Sequence, residues 1–215
     1  MLTGMSGVDN HRRNRGSARL HGRVLGAGVP LAGAIAAVGS AAAAGPIATP
    51  IGLGPLFHPR AANVAVLRAH AIGSHRCLGA GKRDGVHVEL FARGRVVIVP
   101  AGIGVAAPRV QTGAYVEPRG CSYAARTLEP TGVIETRRGF QLTLGDAFRI
   151  WGQPLSPTRL AGFATTRSSP VRAYLGGKRW HGPLRSIPLR RHAQIVLEVG
   201  RYIPPHRSFL FRSGL

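Results

Sequence analysis

The stretch VHVELFARGRVVIVP, residues 86–100, decides how the rest of the chain is read. Val86, Val88 and Leu90 alternate with His87, Glu89 and Phe91, the two-residue period that sends alternate side chains to opposite faces of a strand. Arg93-Gly94 supplies a tight turn. Val96, Val97, Ile98 and Val99 make a second strand, stopped by Pro100, which has no N–H to give a ladder. A hairpin is predicted here. Its first strand is expected to be half-buried, with His87 and Glu89 solvated on the polar face.

Working outward, the Pro-rich residues 45–63 read as an extended lead-in, and Val64–Ile72 as a strand. After the hairpin, AGIGVAAP (101–108) has glycines spaced to let the backbone turn or be closely approached. Its G-x-G is no dinucleotide fingerprint, because no third glycine or helix follows. LGAGKRD (78–84) fails as a P-loop, since Arg83 stands where Ser or Thr should hold magnesium. Gly132–Glu135 is another strand candidate. Thr143 and Asp146 have capping-box spacing, and Leu144, Ala147, Phe148 and Trp151 fall on one helical face that Gly152 and Pro154 end. Phe148 and Trp151 are read as core. Val171–Leu175 and Lys178–His181 flank the turn Gly176-Gly177, a second hairpin, and Ala193–Val199 is a last strand. The order predicts an α+β fold, a small mainly antiparallel or mixed sheet with one short helix, β-grasp-like in arrangement.

The chain has 215 residues, with 29 Lys+Arg against 8 Asp+Glu and a formal charge of +21. Only Lys82 and Lys178 are lysines, so the excess is arginine, alongside 30 Gly and 16 Pro. A coiled coil, an acidic buffer protein and a disulfide-dense miniprotein are excluded.

Arg12, Arg13, Arg15, Arg19 and Arg23 precede the uncharged run from Val24 to Ala44, which closes with Ala42 and Ala44 in an A-x-A arrangement. A basic region, an apolar stretch and small residues at the end make residues 1–44 read as a secretory signal peptide. The rival is an uncleaved anchor, disfavoured by Gly26, Gly28, Pro30, Gly33 and Gly39. The membrane is therefore expected to be met only through this segment. Arg12-Arg13 lacks the apolar residues that twin-arginine export needs just after the pair. Without residues 1–44 the formal charge is +17, so the basic character belongs to the rest of the chain. The expected domain is residues 77–215, after a lead-in at 45–76.

The cysteines are Cys77 and Cys121. In an oxidising compartment such a pair is more often a disulfide than a catalytic thiol or a metal ligand. The bridge would close a loop of about 45 residues, worth roughly 4 kcal/mol in the chain-entropy account.

Several landmarks carry a resemblance: HVELF (87–91), VPAGIGV (99–105), Cys121-Ser122-Tyr123, TGVIE (131–135), TLGDAFRIWGQPLS (143–156), VRAYLGGKRW (171–180) and IPLRRHAQIVLEVG (187–200). Over roughly residues 77–215 the chain resembles an uncharacterised family of exported bacterial proteins. Many of its members carry H-x-H-x-H, L-H-T-H-D and G-V-I-H-x-E motifs. Such imidazole clusters imply a transition-metal site. Here only His87 remains of the first cluster, with Arg83 and Gly85 at the other two positions. Arg126 and Leu128 stand for the histidines of the second, Glu129 for its Asp, and Glu135 for the histidine after GVI. His87, Glu129 and Glu135 could hold a metal only if they converge. Arg126 opposes a dication there, and pairing with Glu129 or Glu135 is the favoured expectation.

No G-x-S-x-G, H-E-x-x-H or close acid pair supports catalysis, and no cofactor is called for. The functional expectation is an exported, non-catalytic module binding an anionic cell-surface polymer or lipid headgroups. Arginine suits phosphate and carboxylate through its planar donor fork. The candidate clusters are Arg137-Arg138 and Arg190-Arg191, with Arg172, Arg179 and Arg185 nearby in sequence. Export and the lack of a basic helix disfavour nucleic acid. The alternative is a metal-binding protein with an eroded His and carboxylate site.

Overall fold

The computed structural model describes residues 55–59, 64–203 and 209–215, all within one compact unit. The signal and anchor readings of residues 1–44 lie outside the described residues, as do residues 45–54 and 60–63 of the lead-in.

In chain order the elements begin with β1 (Leu56–Phe57) and one helical turn, α1 (Val64–Leu67). Then come β2 (Arg83–Ala92), β3 (Arg95–Val97), β4 (Arg109–Thr112), β5 (Tyr115–Pro118), β6 (Ala125–Arg126) and β7 (Val133–Arg137). Helix α2 (Leu144–Trp151) leads into the short strands β8 (Leu155–Ser156), β9 (Arg159–Leu160) and β10 (Phe163–Ala164). The chain closes with β11 (Arg172–Leu175), β12 (Lys178–Arg179), a 3-10 turn at Leu184–Ser186 and β13 (Gln194–Val199).

Both predicted hairpins form, and for the same reason. Phe91 pairs with Val96 and Ala92 with Arg95, leaving Arg93-Gly94 as a two-residue loop with φ of 52° and 73°. Tyr174 pairs with Arg179 and Leu175 with Lys178 around Gly176-Gly177, with φ of 56° and 77°. Two consecutive left-handed residues give the turn whose twist matches that of the flanking strands. Strand β13 enters parallel to β2, from Gln194 opposite His87 to Val199 opposite Ala92, and antiparallel to β11. The main path is β1-β3-β2-β13-β11-β12, with β7 on the free half of β2 and β6 on β7. A hairpin, a helix, a second hairpin and a last strand inserted between them make the expected β-grasp-like α+β arrangement.

Two expectations need correction. Val64–Ile72 is not a strand: Val64–Leu67 turn helically, Ala69 takes φ of 57°, and only Ile72 makes an isolated bridge, to His75. A short apolar run has no period of its own, and here the tertiary core took Val66 and Ile72 as anchors. Nor is β2 half-buried. His87 and Glu89 are 2% and 3% exposed, and the Phe209 ring stacks on His87 at 4.3 Å. Part of the lead-in also joins the sheet, with Leu56 and Phe57 running parallel to Val96 and Val97.

Helix α2 begins as its capping box requires. The Asp146 carboxylate accepts from Thr143 N at 2.9 Å, and Asp146 N donates back to Thr143 Oγ1. Burial pushes the Asp146 carboxyl up, but the bonds from Thr143 and the neighbouring His75 outweigh it and hold it below the ordinary value. Gly152 closes the helix at φ of 76°. Phe148, Ile150 and Trp151 are buried in one core with Val86, Val88, Leu90 and Ile134. The glycine loop before β4 packs close to β6: a Cβ on Gly104 would lie 2.1 Å from the Ala125 carbonyl oxygen.

Cys77 and Cys121 form the expected disulfide, with Cα atoms 5.4 Å apart. Beside it Leu78 and Ser122 exchange main-chain bonds, so the bridge ties the approach to β2 to the approach to β6. Among the described residues no helix is long and apolar enough to cross a membrane. Replacing both cysteines by serine is expected to cost roughly 4 kcal/mol of unfolding free energy in urea, from the 44-residue separation. A loss below about 1 kcal/mol would mean that the reduced chain is already held together at this point.

Candidate functional site

Two places gather the residues expected to carry function, and their chemistry differs. The first surrounds Glu135 on β7. The β2–β7 register sets Gly85 opposite Glu135, and the β6–β7 register sets Arg126 opposite the same residue. Glu135 is 4% exposed by side chain, and one of its carboxylate oxygens accepts from Arg126 Nε and Nη2, both at 2.8 Å. Its other oxygen accepts from Arg212 Nη2 at 2.7 Å. Arg212 Nη1 lies 3.4 Å from Glu129, so one guanidinium bridges both acids. Arg126 thus pairs with Glu135, one of the two partners expected for it.

Arg83 completes the cluster from β2. It is 5% exposed and donates to the main-chain oxygens of Tyr123, Ala124 and Glu135 and to Ser122 Oγ. Burial, with Arg126 close by, pushes its guanidinium down to about 10. His87 lies behind Phe209, with Nε2 and Nδ1 each 3.2 Å from a protein oxygen, those of Thr131 and Gln194.

These residues do not fit a metal. Both Glu135 oxygens are taken by guanidinium groups, and a dication among three arginines would meet repulsion at close range. Among the described residues no three His, Cys, Asp or Glu side chains come together as a cation requires. The cavity left between Glu129, Glu135, Phe209 and Arg212 measures about 10 Å³, room for a single water. The cluster is a structural ion network that closes β7, β6 and residues 209–215 over β2.

The second place is open. A groove of about 450 Å³ runs between the end of β7 with the turn after it and the segment entering β13. Arg137 and Arg138 line one wall, and Arg190 and Arg191 the other. Two of the sequence clusters, more than fifty residues apart, therefore face one cleft. One carboxylate stands between them: Asp84 accepts from Arg138 Nε at 2.7 Å and lies 3.6 Å from Arg191 Nε. Arg137 is steadied by the Gly79 carbonyl at 2.9 Å. The exposed Arg190 side chain has no hydrogen-bond or ion-pair partner among the described residues. The floor is stiff, because Leu189 N donates to Leu142 O at 2.9 Å and Thr143, the cap of α2, bridges Pro188.

The other arginines of the sequence expectation do not join this groove. Arg172 lies 3.5 Å from Glu198, which is fully buried; burial raises the Glu198 carboxyl against the pull of Arg172. Arg179 sits over the Tyr174 ring at 5.8 Å, and the strand order puts both on the far side of β13. Arg185 lies in the 3-10 turn packed on α2, and its backbone would stop a Cβ on Gly145 at 2.8 Å.

Sequence reasoning missed Asp84 and Arg212, and Phe140, which also lines the groove. Asp84 had a signal, as one of few acids directly after Lys82-Arg83, and Phe140 follows the Arg137-Arg138 pair with one glycine between. Arg212 had none, since nothing local ties it to Glu129 or Glu135. No family model, no curated protein and no solved structure matches the chain.

Removing the Glu135 carboxylate leaves the part-buried Arg126 and the exposed Arg212 without their shared partner, beside the buried Arg83. Glu135→Leu is expected to destabilise by about 3–5 kcal/mol in urea unfolding, and adding Arg126→Met to recover part of that loss. A single-variant cost below about 1 kcal/mol would show that the network contributes little.

Proposed function

We propose that the chain is an exported, non-catalytic binding module whose arginine groove holds an anionic partner or surface outside the cytoplasm. The convergence of Arg137-Arg138 with Arg190-Arg191 carries this reading. Four arginines line one groove with a single carboxylate, which holds Arg138 and lies near Arg191 and so does not neutralise the set. Guanidinium forks bind phosphate and carboxylate by paired, charge-assisted hydrogen bonds. Holding the donors in place before binding lowers the ordering cost that a flexible surface cluster would meet.

Export is supported by the basic, apolar and small-residue order of residues 1–44 and by the Cys77–Cys121 bridge, which an oxidising compartment maintains. The resemblance to an uncharacterised family of exported bacterial proteins points the same way. The alternative of a metal-binding protein loses its ground, because guanidiniums occupy the acids that would have to ligate.

Binding through such a groove must fall with salt, since each neutralised anionic group releases counterions. With three or four arginine contacts, affinity for inorganic polyphosphate is expected to drop roughly fortyfold or more between about 50 and 200 mM salt. Arg190→Ala should lower the log–log slope by about one and leave the unfolding midpoint unchanged. No affinity at low salt, or affinity that ignores salt, rejects the reading.

A further inference from the structure

If the groove holds an anion, its shape and its one exposed aromatic residue narrow the class of ligand. We infer that it takes a segment of an acidic glycan, a chain of sugar rings bearing carboxylate or phosphate groups. The inference rests on the anion-binding reading and adds the sugar to it.

Shape comes first. A recess of about 450 Å³ matches the pockets that enclose small molecules or single segments of a chain. The four arginines line its two walls, where a plane of lipid headgroups does not reach. Duplex DNA is read by elements that protrude into its grooves, and this surface is concave.

The lining then selects among narrow polyanions. Phe140 is 49% exposed on the groove wall, although the core has its own aromatics in Phe148 and Trp151. The face of an aromatic ring carries negative charge density and packs well on the C–H face of a sugar ring. Gln141, also exposed beside it, offers an amide donor and acceptor suited to hydroxyl groups. A polyphosphate chain has neither C–H faces nor hydroxyls and would leave both residues unused. Charge and neutral, ring-stacking chemistry lining one groove match a chain in which acidic groups alternate with sugar surface.

The test titrates the purified protein calorimetrically with a short oligogalacturonate, with inorganic polyphosphate of equal charge, with uncharged maltohexaose and with phosphatidylglycerol vesicles. Oligogalacturonate is expected to bind more tightly than the other three. Phe140→Ala should weaken it roughly fivefold, the scale of one aromatic contact, and leave polyphosphate binding unchanged. Phe140→Tyr should retain affinity, and equal unfolding midpoints will show that both variants fold. Arg137→Ala with Arg190→Ala should weaken both anions. The glycan assignment fails, with the groove intact, if polyphosphate or vesicles bind as tightly as the sugar or if Phe140→Ala weakens both anions alike. Both readings fail if no anion binds.

Discussion

At Asp84-Gly85 the backbone of β2 is engaged on both sides at once. Thr136 and Glu135 of β7 face it on one edge, and on the other His192 N donates to Gly85 O at 2.7 Å. That double engagement is what places an arginine pair on each flank of a single carboxylate. Glycine at 85 leaves room for the Phe211 ring that stacks on His192, since a Cβ there would lie 2.6 Å from it. Residues 209–215 add Phe209 on His87 of β2 and Arg212 on Glu135 of β7. The structural network and the groove are two consequences of one central strand.

The arginine excess consequently divides into two kinds. Arg83, Arg126, Arg172 and Arg212 point at buried carboxylates or main-chain oxygens and hold elements together. In a chain with so few lysines, the guanidinium suits this work because its five donors reach several oxygens at fixed angles. Arg137, Arg138, Arg190 and Arg191 face the open groove instead. The overall charge of +21 mixes the two and therefore says little by itself.

What could be read from sequence follows from where the deciding physics is local. The hairpins at Arg93-Gly94 and Gly176-Gly177 and the capped helix from Thr143 to Gly152 are encoded by neighbours a few residues apart, and all three were legible. The pairing of Arg126 with a carboxylate was expected with either Glu129 or Glu135, and the structure pairs it with Glu135. The burial of His87 was not legible, because the Phe209 ring that stacks on it lies more than a hundred positions away. Val64–Leu67 misled for the related reason that a short apolar run takes whichever conformation its core contacts demand. The groove was half legible: each arginine pair is visible in the sequence, but Asp84 and the strand order that brings them together are not.

The most direct test of the account maps where an anion sits. Adding inorganic pyrophosphate to isotopically labelled protein should shift the amide and guanidinium resonances of Arg137–Gln141 and Leu189–Arg191, and leave those of Arg172 and Arg179 in place. Shifts confined to the β11–β12 side, or spread evenly over all exposed arginines, would contradict a built anion site in this groove.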